Sequence, residues 1–446
     1  MQIKNAEDTG LHRIVIVGGG AGGLELATRL GDKLGKHKRA HITLIDKNRT
    51  HIWKPMLHEI ASGRMDYTLH EIDYLAQAHW HHFHYRIGAL TGLDRTQGLV
   101  HIDAYTDSEG ELITPERSIP YDTLVLALGS RTNDFNIPGV AEHAIEMDTA
   151  AQAEHFHQKL VNACIRAHAQ IEPLQPYQLQ VAIIGAGATG VELAAELHKS
   201  IRTLVKYGLD RIEADRDVHL NLIEAAPRIL PGLPERISAD AARILERLKV
   251  NTRTQARVAA VHEHSVELST GEQIPAELIV WAAGIRAPAV LKNLDGLESN
   301  AINQLLVTTT LQTTLDENIF GLGDCASVDW LEHDPPIKVP PRAQAAHQQA
   351  MHLTKQLQRR LAGQRVEAFY YQDFGSLVSL GKNWAVGGLM GNIARGTLFV
   401  EGYIARFMYN MLYKKHQLGL HGFWKTAIET VSSLLRRTTT PSIKLH

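Results

Sequence analysis

Apolar residues in this chain come in short unbroken runs, each followed by a glycine-rich turn or a helical stretch, and the whole pattern occurs twice. Ile14-Val15-Ile16-Val17 is a β-branched run suited to a strand buried on both faces. Gly18-Gly19-Gly20-Ala21-Gly22-Gly23 follows, then a helical stretch from Leu24 to Leu34. Ala40 to Ile45 predicts a second strand, ending at Asp46, and completes a βαβ unit. From His82 to Leu90 the pattern alternates, with Phe83, Tyr85 and Ile87 on one face and His82, His84 and Arg86 on the other, which predicts a strand. Tyr121 to Leu128 predicts a further buried strand, ending in Gly129-Ser130. The pattern restarts at Gln180 to Ile184, passes through Gly185-Ala186-Gly187-Ala188-Thr189-Gly190, and continues as a helix from Val191 to about Val205. His219 to Ile223 is the next strand and ends at Glu224. The copies lie too far apart for a solenoid repeat and suit two homologous domains. Leu278 to Trp281 reads as the closing strand of the second domain, and Ile319 to Asp324 as a late strand of the first. On that reading the second domain is inserted into the first.

The texture changes towards residue 400. Gly402 to Gln417 carries Ile404, Phe407, Met408, Met411 and Leu412 at helical spacing, beside Arg406, Lys414, Lys415 and His416. Phe423 to Arg437 carries Trp424, Ala427, Ile428, Val431, Leu434 and Leu435 in the same way. Two readings of these amphipathic helices stay open on the residues: they cover a partner or domain surface, or they lie in a membrane interface with Lys and Arg at the headgroups.

Composition narrows the class. A 446-residue chain with 44% hydrophobic and 21% charged residues is globular and long enough for two or three domains. A net charge of -2 gives no support to a nucleic-acid partner. The two cysteines, Cys164 and Cys325, form no close pair, which argues against dithiol redox chemistry, a zinc ribbon or an iron–sulfur cluster. Cys325 reads as a small packed residue. His79, His81, His82 and His84 invite a metal reading, but alternation along a strand would split them across two faces, so no metal is expected. No apolar leader or membrane-spanning window is seen, which points to a soluble, cytosolic α/β chain.

The glycine turns carry the chemistry. Gly18, Gly20 and Gly23 sit between a strand and a helix, where they let the backbone turn tightly and approach a pyrophosphate at a helix N-terminus. Asp46, at the next strand end, is placed to accept hydrogen bonds from ribose hydroxyls. Gly185, Gly187 and Gly190 with Glu224 repeat every part. Glu224 disfavours a 2′-phosphate and so favours NADH over NADPH, an argument that Arg228 slightly weakens. Asp324, in Gly321-x-Gly323-Asp324, is suited to a cofactor's hydroxyls or to an ordinary turn. Pro340-Pro341 opens a helix on which Gln344 and Gln348 share a face. Two uncharged amides there suit a carbonyl ligand such as a quinone headgroup, or are simply a polar face.

With these residues in view, the chain resembles the bacterial type II NADH dehydrogenases, the non-pumping NADH:quinone oxidoreductases. The resemblance rests on Val17 to Glu25, Trp53-Lys54-Pro55, Gly185 to Leu193, Trp281 to Ile285, Gly323 to Ala326 and Pro341 to Gln348. It implies FAD in a discontinuous domain of residues 10–137 and 302–352, NADH in residues 138–301, and a quinone-site and membrane-anchoring region in 353–446. The implied FAD set is Gly18, Gly19, Gly20, Ala21, Gly22, Gly23, Asp46, Lys47, Trp53, Lys54, Ala127, Gly129, Gly323, Asp324, Ala343 and Gln344. The NADH set is Gly185, Gly187, Ala188, Thr189, Gly190, Glu192, Glu224, Ala283 and Gly284. Glu192 falls beside the nicotinamide and flavin, where it positions the nicotinamide or handles protons; a glutamate near a helix start is also what the dipole favours. Gln344, Gln348 and Lys382 fall on the quinone side, the quinone being ubiquinone or menaquinone. The resemblance further implies a peripheral, monotopic protein on the cytoplasmic face of the inner membrane, and a homodimer. The rival readings are a soluble reductase of a protein such as ferredoxin and a non-enzymatic NADH-sensing flavoprotein.

Overall fold

The computed structural model describes residues 10–380, 385–389, 398–436 and 443–444. Its principal elements in chain order are β1 (His12–Val17), α1 (Ala21–Leu30), β2 (Ala40–Asp46), α2 (Leu57–Ala61), β3 (His84–Ile87), β4 (Thr123–Leu126) and β5 (Ile145–Glu146). There follow α3 (Ala150–Ala169), β6 (Gln180–Ile184), α4 (Ala188–Lys206), β7 (His219–Ile223), β8 (Val250–Arg253), β9 (Leu278–Trp281), β10 (Ile319–Gly321), α5 (Ala343–Leu361) and α6 (Gly402–Arg436). The chain forms two compact units. The first comprises Met1–Trp53, His70–Arg131 and Ile285–Gln372; the second comprises Lys54–Leu69, Thr132–Gly284 and Asp373–His446.

The first unit is built on a five-stranded parallel sheet in the order β10-β4-β1-β2-β3. β1 is central because all its neighbours can cover an uninterrupted apolar run: Ile14 to Val17 are buried, and Val17 stands in register with Leu126 on one side and Ile45 on the other. α1 buries Leu24, Leu26 and Leu30 and packs against α5. Between β3 and β4 the chain makes a three-stranded antiparallel sheet of Leu90–Asp94, Leu99–Ile102 and Arg117–Pro120.

The second unit repeats this plan. Its parallel sheet runs β5-β9-β6-β7-β8, with β6 in the central place that β1 holds in the first. Here too an antiparallel meander, Val258–His262, Ser265–Leu268 and Gln273–Pro275, interrupts the crossover to the last central-side strand. Trp281 closes the core beneath it, 1% exposed, with its indole N–H donated to the Asn133 carbonyl at 2.8 Å. The same unit carries α2 against α3 and α4, and a sheet of Ser376–Ser379, Ala385–Leu389 and Leu398–Glu401 on which α6 packs.

α6 is two helices joined at Gly422, whose φ of 72° and ψ of 178° break the helical path. The amphipathic spacing therefore predicts both helices and the break between them. Phe423, Trp424, Ile428 and Val431 are exposed, as are Met411 and Leu418. Beyond it, Ile443 is buried, and Lys444 donates its N–H to the Gly63 carbonyl at 2.7 Å while its carbonyl faces Nε2 of His157 at 2.8 Å. No helix among the described residues is long and apolar enough to cross a membrane.

Two expectations are corrected. The strand predicted from His82 to Leu90 is shorter: β3 ends at Ile87, and Leu90 begins a different sheet. His79 and His81 do not belong to it. Asp73 caps the helix Tyr74–Trp80 by accepting the Ala76 N–H at 2.8 Å, so His79 lies on that helix and His81 at its end, paired with Asp32. β3 begins only at His84, yet the alternation holds across 83–86: Phe83 and Tyr85 are buried while His84 and Arg86 are exposed. Lys382 lies outside the described residues.

Candidate functional site

In each unit the glycine turn follows the central strand, and the same backbone geometry recurs. Gly18 has φ +106° and Gly185 has φ +100°, a region that side chains rarely adopt. A Cβ on Gly18 would collide with the Ala127 carbonyl, and one on Gly185 with the Ala283 backbone at 2.7 Å. A Cβ on Gly23 would strike the Gly18 carbonyl, and one on Gly190 the Gly185 carbonyl. These four glycines shape the turn itself. Gly20 and Gly187 differ: each caps its helix in nearly the same extended conformation (φ −64°, ψ −171° and φ −71°, ψ −173°), and a Cβ on either would meet nothing within 4 Å. The space before each is open, and neither helix start has a side-chain cap. Unshared N–H groups and helix-dipole potential at an open glycine are what a pyrophosphate requires.

The two acids are equivalent as well. Asp46 accepts the Gly19 N–H at 2.7 Å, and Glu224 accepts the Ala186 N–H at 2.7 Å. Each also takes an N–H just beyond its own strand, from Asn48 and Ala226, both at 2.8 Å. Both carboxylates thus brace the glycine loop against the end of the next strand. Burial pushes the Asp46 carboxyl up, against the lowering pull of its N–H partners. Arg228, the residue that weakened the preference for NADH, gives its guanidinium to the carbonyls of Leu230 and Pro231, at 3.2 and 2.9 Å.

The first unit brings most of its expected residues together. Ser130, after Gly129, donates to Asp324 at 2.8 Å, and Gln304 donates to the Asp324 carbonyl at 2.8 Å. α5 begins at Ala343 with Arg342 as its N-cap, and a Cβ on Gly22 would come within 3.2 Å of the Ala346 carbonyl, so this helix start adjoins the glycine turn. Gln344 accepts the Tyr371 hydroxyl at 2.8 Å on Oε1, which leaves its N–H donors as the chemistry it offers a ligand. Gln348 is used differently: its amide donates to the Gln372 carbonyl at 2.7 Å and accepts the Gln372 N–H at 3.0 Å, a strand-like pairing. Trp53 is half-buried in this unit. Cys325 is fully buried, donates to the carbonyls of Leu126 and Leu322, and has its thiol pushed up to about 11 by burial, a packed and inert group as expected.

The second unit gathers Gly185, Gly187, Ala188, Thr189 and Gly190 at the α4 start, with Ala283 beside Gly185 and Gly284 in a left-handed turn of φ +65°. Glu192 stands in the next turn of α4, 5% exposed, one oxygen accepting the Ser379 N–H at 2.9 Å and the other facing His58. Burial raises its carboxyl above the ordinary range. Lys54 pairs with Asp148 at 2.8 Å.

Several participants escape sequence reasoning because their partners are far away along the chain. Tyr74 donates its hydroxyl to the Gly19 carbonyl at 2.7 Å, with Nδ1 of His51 at 3.0 Å from the same oxygen. Gln349 accepts the Gly323 N–H at 2.7 Å and so fixes the loop that carries Asp324. Glu25, 1% exposed, bonds Arg29 one turn on and His347 of α5 at 2.7 Å.

Comparison with known proteins agrees with this geometry. Residues 12–350 match the Pyridine nucleotide-disulphide oxidoreductase family. The chain is 41% identical to a Type II NADH:quinone oxidoreductase of Haemophilus influenzae, over 98% of this chain and 100% of the relative. It is 28% identical to a protein of that description from Staphylococcus aureus, over 86% and 91% respectively. Among solved structures it is similar to the NDH2 of Plasmodium falciparum in complex with NADH, with a TM-score of 0.81, 20% identity and coverage of 97% of this chain and 100% of that one, a likeness of fold.

Proposed function

The chain belongs to the type II NADH:quinone oxidoreductases, within the pyridine nucleotide-disulphide oxidoreductase family, and on that premise we propose how its residues divide the work. The enzyme is an FAD-dependent NADH dehydrogenase that reduces quinone. When bound, FAD would supply the two-electron redox chemistry that links NADH to the quinone. The protein supplies orientation and electrostatics.

Residues 10–137 and 302–352 take FAD, and 138–301 take NADH. Gly18 to Gly23 and Asp46 hold the pyrophosphate and ribose of the first cofactor, with Lys47, Trp53, Lys54, Ala127, Gly129, Asp324 and Ala343 around the rest. Gly185 to Gly190 and Glu224 hold NADH, with Ala283 and Gly284 flanking the turn. The observation that carries this assignment is the recurrence of an open, uncapped glycine helix start braced by an acid at the same place in both units. Glu192 handles a proton beside the nicotinamide. Gln344 donates to the quinone carbonyl; Lys382, outside the described residues, serves the quinone as well. Gln348 acts through the Gln372 backbone that it pairs with.

Residues 353–446 serve membrane attachment. The support is the exposed apolar row of Phe423, Trp424, Ile428 and Val431 in α6, an element that packs on a sheet of its own unit. Attachment is peripheral, at the cytoplasmic face, and the protein works as a homodimer. The decisive experiment is anaerobic stopped-flow: NADH should bleach the flavin, and a short-chain quinone should restore it within a turnover. A flavin that NADH bleaches and no quinone reoxidises would overturn the reading in favour of a protein acceptor or a sensor.

A further inference from the structure

Glu192 has a buried neighbour that the reading above does not use. His58, on α2, is 1% exposed, and its Nδ1 lies 3.3 Å from Oε2 of Glu192. The other oxygen of that carboxyl is held by the Ser379 N–H. Nε2 of His58 is buried and has no hydrogen-bond partner among the described residues. Buried ring nitrogens are nearly always satisfied, so an orphan beside a candidate acid points to a transient partner.

We propose that His58 is a positioning residue that holds the Glu192 carboxyl and passes to it the one solvent proton that each turnover consumes. The proposal rests on the assignment of Glu192 made above. The balance is NADH + H⁺ + quinone → NAD⁺ + quinol: the hydride brings two electrons and one proton, and quinol needs a second proton. In the resting pair Nδ1–H faces an ionised Glu192 across 3.3 Å. A solvent proton arrives on Nε2, and the Nδ1 proton moves to Oε2. The result is a neutral imidazole protonated on Nε2 and a neutral carboxylic acid able to give its proton onward. Exchange of the neutral ring from its Nε2–H to its Nδ1–H tautomer, one proton taken up for one released, resets the pair. The two nitrogens thus have separate duties, one facing the acid and one buried without a hydrogen-bond partner among the described residues.

The surroundings favour a carboxyl that takes up a proton. Burial raises the Glu192 carboxyl, Glu59 on α2 and Glu196 on α4 raise it further, and His58 with the Ser379 N–H oppose them. Arg64 pairs with Glu196 and offsets its charge. Tyr413 on α6, also within reach of Glu59, has its hydroxyl pushed up to about 12 by burial and stays neutral.

The test compares H58N, H58A and E192Q holoenzymes on membranes. An asparagine amide can still donate to the carboxyl but cannot exchange protons. H58N should lose about tenfold or more in quinone turnover, more than it loses in flavin bleaching by NADH. It should also raise the solvent deuterium isotope effect and lose the same limb of the kcat pH profile that E192Q loses. Imidazole added to H58A should restore part of the rate. If E192Q is impaired while H58N keeps a wild-type rate and pH profile, the proposal falls and the Glu192 assignment stands. If E192Q turns over quinone normally, the assignment itself fails and the proposal with it. An H58N variant that only loses thermal stability, with an unchanged pH profile, marks His58 as structural and also overturns it. Should H58N fail to retain FAD, H58Q is judged by the same outcomes.

Discussion

Gly20 and Gly23 stand one helical turn apart, yet a methyl group has different consequences at each. At Gly23 a Cβ runs into the Gly18 carbonyl, whereas at Gly20 it projects into open space. Gly23→Ala should therefore distort the turn itself, at a cost of about 1–3 kcal/mol, and yield protein with little flavin and a lower Tm. Gly20→Ala should keep its Tm without ligand and lose FAD affinity instead. Equal losses of apo-protein stability in both variants would count against an open cradle at Gly20. Glu224 permits a sharper test of specificity. Its carboxylate is braced by two backbone N–H groups, and the guanidinium of Arg228 is engaged on carbonyls rather than turned to a 2′-phosphate. Glu224→Gln should narrow the ratio of kcat/KM for NADH over NADPH by about tenfold, ~1.4 kcal/mol. An unchanged ratio removes Glu224 from the recognition of the ribose.

At the scale of elements, the two glycine-turn units were legible because each part follows from a local rule. β-branched runs make buried strands, glycines permit the turn, and an acid ends the second strand. The helix Tyr74–Trp80 was hidden because histidines at 79, 81, 82 and 84 imitate strand alternation, and the capping by Asp73 that decides the matter is one hydrogen bond. The site residues divide in the same manner. Asp46 and Glu224 were visible from their place at strand ends, but Tyr74, Gln349 and His58 reach partners remote in sequence, and no periodicity marks them. Gln348 shows the limit of helical spacing: it shares a face with Gln344 but spends its amide on Gln372. The second helix of α6, after Gly422, supplies a further prediction. Phe423 and Trp424 are 68% and 78% exposed, and an aromatic side chain moved from water to an interface is worth on the order of 1–2 kcal/mol. Phe423→Ser with Trp424→Ser should weaken binding to anionic vesicles by about tenfold or more in a flotation assay. Turnover of a water-soluble quinone should change little, and undiminished vesicle binding would place the contact elsewhere.

Across the whole molecule, four histidines contribute a common response to pH. Burial lowers the pKa of His12, His157 and His352, and that of His198 to about 4, from an ordinary 6.5. A depressed histidine binds its proton less readily folded than unfolded, so the unfolded chain takes up more protons as the pH drops below 6.5. The stability these groups confer is complete above that value and declines through it. Tm should fall by a few degrees between pH 7 and 5, and unfolding at pH 6 should be accompanied by net proton uptake. Proton release on unfolding at pH 6 would reverse the sign and refute the account.

Ile443 and Lys444 give the apolar helix after Gly422 a second anchor. The strand Leu398–Glu401 fixes the chain ahead of α6, and the Gly63 and His157 contacts fix it again behind. A segment held at one end swivels freely on a lipid surface. One held at both ends is a closed loop, with its entropy already spent before adsorption. Docked through such a loop, the second unit would have a set tilt and height above the bilayer, and its rotation there would be slow. Fluorescence anisotropy on supported bilayers should show that rotation speeding up when the Lys444 contact is cut.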